Sequence, residues 1–65
     1  MQNTQKRNEI AAQLLEGCPD ESRGDHEEIA RAIRCGASAE AVLAMPEVDR
    51  WPDTYCWLGD ALRTL

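Results

Sequence analysis

The stretch Asp25–Gly36, "DHEEIARAIRCG", decides the fold. Ile29, Ala30, Ala32 and Ile33 recur at helical spacing, and Gly36 closes the run where a left-handed cap belongs. Asp25 precedes Glu28 by three residues, the capping-box spacing with Asp in the Ser/Thr role. Acids occupy the first turn and Arg31 and Arg34 the last, which suits the helix dipole at both ends. A helix is predicted over about His26–Cys35, and its charge order is a folding signal before it is a functional one.

Upstream, Ile10, Ala11, Leu14 and Leu15 form one stripe, with a polar start at Asn3 or Thr4 and Gly17 in the position of a left-handed cap. This predicts a helix over about Gln5–Glu16. Cys18 and Pro19 break it, and Pro19–Gly24 reads as a loop with room for one helical turn at Asp20–Ser22. Downstream, Ser38 caps a short helix, Ala39 to Ala44 or Met45, with Ala39, Val42 and Leu43 inward, and Pro46 stops it. Pro52 then sits at a favourable first helical position, followed by Tyr55, Leu58, Leu62 and Leu65 at spacings of three and four. A fourth helix is predicted over about Pro52–Thr64, with Trp51 packed beneath its start and Trp57 out of phase. Gly59 inside it costs roughly 1 kcal/mol against Ala and implies a closely approaching neighbour.

No segment alternates apolar and polar residues over strand length, so the expected fold is all-α. Four short helices wrapped around Ile10, Leu14, Ile29, Ile33, Leu43, Leu58 and Leu62 form the simplest bundle that buries every stripe. The 65 residues make one domain, 1–65, whose chain buries only about 60% of its unfolded surface. Three cysteines, no CxxC pair and no apolar signal segment point to a reducing, cytoplasmic compartment. The longest apolar runs fall far short of the roughly 20 residues that a membrane span needs.

Tests for chemistry give little. Cys18, His26, Cys35 and Cys56 lack the close pair that seeds a zinc site, so Cys35 and Cys56 read as small buried hydrophobes and His26 as a solvated first-turn residue. Neither a metal nor a cofactor is expected. A Cys18–His26 nucleophile has no further support, and there is no phosphate loop, HExxH or nucleophile elbow. Carboxylates adjacent in sequence, such as Asp20 with Glu21, are exposed by pattern and unsuited to acid–base work. The chain is expected not to be an enzyme.

Charge placement is more informative. Between Glu16 and Glu28 lie Glu16, Asp20, Glu21, Asp25, Glu27 and Glu28 against Arg23 alone, so the whole net charge of −5 falls in thirteen residues. Elsewhere six acids balance six bases. Glu47, Asp49, Asp53 and Asp60 make a second acidic series, offset by Arg50 and Arg63. An acid-rich loop is in the plainest case a solubilising surface. It can also dock on a basic channel, because DNA carries one negative charge per about 1.7 Å of axis and its binding sites are lined with Lys and Arg. Trp57 is the candidate aromatic anchor for such an interface.

Two resemblances sharpen these expectations. The run Glu28–Leu58, "EIARAIRCGASAEAVLAMPEVDRWPDTYCWL", resembles the helix-turn-helix of phage small-terminase and transposase-type proteins, on the strength of Gly36, Ser38, Pro46, Thr54, Trp57 and Leu58. That family implies a last helix in the major groove, yet here the helix presents Asp53, Thr54, Cys56 and Asp60. The chain as a whole, and particularly "GCPDESRGDHEEIARAIRCG", is similar to the small acidic phage-encoded anti-CRISPR proteins. This second resemblance implies a monomeric, stoichiometric inhibitor in the host bacterial cytoplasm that mimics DNA and blocks target binding by a CRISPR-Cas effector of type I. The expected contact set is Asp20, Glu21, Asp25, Glu27 and Glu28, then Glu47, Asp49, Asp53 and Asp60, with Trp57. The alternative is a small helix-turn-helix DNA-binding or packaging module.

Overall fold

A computed structural model of the chain describes residues 4–16, 18–53 and 55–65. The protein is all-α: α1 (Thr4–Leu15), a 3₁₀ turn (Asp20–Ser22) that runs into α2 (Arg23–Arg34), α3 (Ala39–Leu43), α4 (Pro46–Arg50) and α5 (Leu58–Arg63). No strand occurs among the described residues. The domain measures 33 × 20 × 17 Å.

The stripes read from sequence become the core. α1 and α2 pack as a hairpin, with Ile10, Ala11 and Leu14 buried from the first and Ile29, Ala30 and Ile33 fully buried from the second. Ala11 and Ala30 are wholly covered, and their small size lets two helices approach closely. Val42, Val48, Tyr55, Leu58 and Leu62 complete the core, while Leu43 is only half-buried. Losing the side chain of Ile29 or Ile33 to Ala would cost about 2–5 kcal/mol, much of the stability of so small a domain.

The end of α2 is closed twice. Gly36 has φ +96°, its N–H bonds to the Ile33 carbonyl at 3.1 Å, and the Ala37 N–H reaches the Ala32 carbonyl at 3.1 Å. This is a Schellman closure, and it needs the left-handed conformation that glycine adopts without cost. Arg7 on α1 then donates from Nη1 to the carbonyls of Ile33 at 3.0 Å and Ala37 at 2.9 Å, placing a guanidinium on the negative end of α2. Ser38 caps α3 as expected, its Oγ accepting from the Ala41 N–H at 3.1 Å.

Several expectations are corrected. α2 begins at Arg23 and not His26, because the 3₁₀ turn feeds directly into it. The Asp25–Glu28 capping box does not form: Ser22 holds the N-cap position without a side-chain cap, and Asp25 turns toward α4. Pro46 does end α3, but it also opens α4 at its first position, where its fixed φ and missing N–H cost nothing. The predicted helix over Pro52–Thr64 is replaced by turns at 51–53 and 55–57 and the shorter α5. A Cβ at Gly59 would meet only Leu43 Cδ1, at 3.7 Å, an ordinary contact, so no crowding requires glycine there. The cap expected at Gly17 and the start at Asn3 lie outside the described residues, as does Thr54.

Candidate functional site

The α1–α2 hairpin and α4 bring two acidic series to one end of the molecule. Asp25, in the first turn of α2, accepts from Arg50 Nη1 at 2.8 and 2.9 Å and from the Trp51 indole Nε1 at 2.7 Å. This clasp ties the start of α2 to the end of α4. It gathers Glu16 at the end of α1, Asp20 and Glu21 on the 3₁₀ turn, Asp25, Glu47 and Asp49 on α4, and Asp53 just beyond Trp51. Against these seven carboxylates stand Arg23 and Arg50, so this pole carries the entire net charge of −5. The opposite end is basic: Lys6 and Arg7 start α1, Arg31 and Arg34 finish α2, and the Arg7 bonds to Ile33 and Ala37 show that these ends lie together.

The expected contact residues divide accordingly. Asp20, Glu21, Asp49 and Asp53 are exposed and Glu47 half-buried on the acidic pole. Asp25 belongs to that pole, but its side chain is only 18% exposed and serves the clasp. Glu27 and Glu28 are exposed farther along α2, where Glu28 pairs with Arg31 at 3.8 Å and Glu27 shares a groove with Arg31 and Arg34. Asp60 lies on α5 beside Arg63 at 3.5 Å. Asp20 has a looser partner in Arg23, 3.9 Å away. Trp57 is half-buried against the core. The carboxylates are thus partly answered by the chain's own arginines, and most of the unanswered ones are on the pole.

Beneath the pole lies a feature that sequence reasoning missed. His26, expected in solvent, is 3% exposed, and its Nδ1 is 2.8 Å from the Ser22 carbonyl and 3.0 Å from the Tyr55 hydroxyl. A carbonyl only accepts, so Nδ1 carries the proton and donates it toward Ser22, with the Tyr55 hydroxyl within hydrogen-bond distance of the same nitrogen. The two rings tilt at 54° with centroids 5.1 Å apart. Burial, followed by the charges of Asp25, Cys18 and Glu47, pushes the Tyr55 phenol up to about 12. Next to this pair a cleft of about 150 Å³ opens, lined among the described residues by Gln13, Glu16, Cys18, His26, Tyr55 and Trp57, with others. The available signal was the spacing His26–Ile29–Ala30–Ile33, which puts the imidazole on the apolar stripe of α2.

The cysteines also differ from expectation. Cys35 and Cys56 are exposed rather than buried, one in the turn after α2 and one in the turns before α5. Cys18 is half-buried. Among the described residues no group of three or more His, Cys, Asp or Glu side chains could hold a metal ion. No described helix is long and apolar enough to cross a membrane.

The fold and site define a small all-α domain with a charged pole. Comparison with protein-family models, with curated proteins and with solved structures finds no match to any of them.

Proposed function

We propose that the domain is a stoichiometric protein inhibitor whose acidic pole docks on a basic nucleic-acid-binding surface and occludes it. The observation that carries this reading is the clasp Asp25–Arg50–Trp51, which gathers seven carboxylates at one end of a body 20 × 17 Å in cross-section. Such a pole attracts a basic phosphate-binding channel, and it speeds encounter without chemistry. The resemblance of the sequence to anti-CRISPR proteins makes the DNA-binding surface of a type I CRISPR-Cas effector the target we propose to test. The helix-turn-helix alternative has in its favour the order α2, Gly36 turn, α3. Against it, α3 has five residues, the segment meant to read bases is interrupted by turns, and the acidic pole would repel duplex DNA.

Filter binding of target duplex to a purified type I effector complex, titrated with the domain, tests the proposal. A one-to-one loss of DNA binding that weakens with added salt is expected. Unchanged DNA binding at saturating domain would overturn it, as would salt-sensitive binding of the domain itself to duplex DNA.

A further inference from the structure

The geometry points to the cleft between the end of α1 and the Tyr55–Trp57 turn as a socket for a lysine side chain of the partner; this rests on the docking reading above and gives that pole its anchor. Three of the lining residues, Glu16, His26 and Trp57, suit a cationic donor. Glu16 is the charged residue on the wall, and no Lys or Arg joins it among the described residues. With Nδ1 committed to Ser22, the nitrogen His26 has left is Nε2, a hydrogen-bond acceptor in the neutral ring. Nε2 has no partner among the described residues, and no fully buried side-chain nitrogen or oxygen goes unpaired, so Nε2 keeps a small opening, and the cleft is where His26 reaches the surface. Trp57, half-buried, supplies an aromatic ring beside the nearly covered Tyr55, and such rings attract cations. A carboxylate, an acceptor nitrogen and an aromatic neighbour together select a cationic donor.

Size selects lysine. The cleft offers a narrow space of about 150 Å³. That matches a four-carbon stem carrying one compact ammonium, whereas the planar fork of arginine is longer and wider. A basic surface approaching the pole offers such side chains in number, and an interface gains most from one that leaves solvent in a pocket.

The socket is tested on the whole protein by NMR titration with Nα-acetyl-lysine methylamide. The norleucine analogue serves as the uncharged isostere and the arginine analogue as the wider cation. Saturable movement of the Trp57 indole and Tyr55 ring signals is expected with the lysine analogue alone, with a Kd on the order of millimolar as befits a lone side chain. The Trp51 indole, bonded to Asp25, should stay still. Glu16→Gln alters an exposed position and should weaken binding roughly three- to tenfold. No saturable shift, equal binding of norleucine, or tighter binding of arginine would overturn the socket. Charge reversal at Glu21 and Asp53, which do not line the cleft, separates the two proposals. If reversal abolishes inhibition of the effector while the lysine analogue fails to bind, the socket falls and the docking reading stands. If the analogue binds while reversal and Glu16→Gln both leave inhibition intact, the cleft stands as a lysine site and docking through the pole falls.

Discussion

Replacing Asp25 with Ala should unfold a larger share of the molecule than any other single surface change. The carboxylate receives one guanidinium N–H across both oxygens and one indole N–H at 2.7 Å, and it is 18% exposed. Arg50 is 57% exposed, so solvent screens its share to about 0.5 kcal/mol. The indole bond is charge-assisted and partly buried, and its loss leaves the Trp51 N–H without a partner, worth about 1.5–2 kcal/mol. Asp25→Ala should therefore cost about 2–2.5 kcal/mol, against a total that for 65 residues is roughly 3–10 kcal/mol. Urea unfolding followed by far-ultraviolet circular dichroism measures this without relying on Trp51 fluorescence, which the change would itself disturb. Double-mutant cycles with Arg50→Ala and Trp51→Phe apportion it, the larger coupling being expected for Trp51. A larger coupling to Arg50, or a neutral Asp25→Ala, would refute the view that the indole bond holds α2 to the α4 end.

Four further outcomes follow from the same structure. Tyr55 is raised from its ordinary value near 10 to about 12, so above pH 10 the unfolded chain loses the phenolic proton while the native one keeps it. Stability is thus fully present below pH 10, falls across pH 10–12 by about 3 kcal/mol, and Tyr55→Phe should flatten that fall in urea midpoints taken under reducing conditions. Gly36→Ala should cost about 1 kcal/mol from the φ of +96° alone, since open space surrounds the position, whereas Gly24→Ala in α2 should stabilise by about 0.5 kcal/mol; thermal melts of the two should move in opposite directions. Arg7→Ala should cost about 1–2 kcal/mol by uncapping Ile33 and Ala37, and hydrogen exchange should speed first in the last turn of α2. Charge reversal at Glu21 and Asp53 should slow association with a basic partner more than reversal at Glu27 and Glu28, which lie beside arginines; surface plasmon resonance at two salt concentrations reads the difference.

The parts of the fold that sequence made legible are those set by local rules. Helical periodicity located α1 and α2, and Gly36 and Ser38 punctuated the chain where their backbone and side-chain chemistry required. The misread stretch, Pro46–Trp57, is the one where distant partners decide. Pro46 ends one helix and opens another with equal local justification. The Tyr55–Leu58–Leu62 rhythm fits a continuous helix, yet Trp51 is bonded to Asp25 and Tyr55 to His26, partners 26 and 29 residues away that no local window contains. The polarity of His26 points to solvent while its place on the stripe points to the core, and burial is permissible once Nδ1 has found a carbonyl.

The charge map shows the same division in a way that bears on function. In one dimension the acidic segment Glu16–Glu28 looks uniform and the series from Glu47 looks like a separate, weaker echo. Along α2, at 1.5 Å per residue, Glu27 and Glu28 lie only about 3–4.5 Å beyond Asp25, but they sit beside Arg31 and Arg34, while Asp20 and Glu21 stay on the 3₁₀ turn. The Asp25–Arg50 contact then returns Glu47, Asp49 and Asp53 to the residues left there. The net charge of −5 is the same number whether counted along thirteen residues or around one pole, but its membership differs. An inhibitor built on this fold would accordingly lose potency through α4 and the Asp53 turn as readily as through the 3₁₀ turn. A partner that ignored α4 while depending on Glu27 and Glu28 would be reading the helix and not the pole.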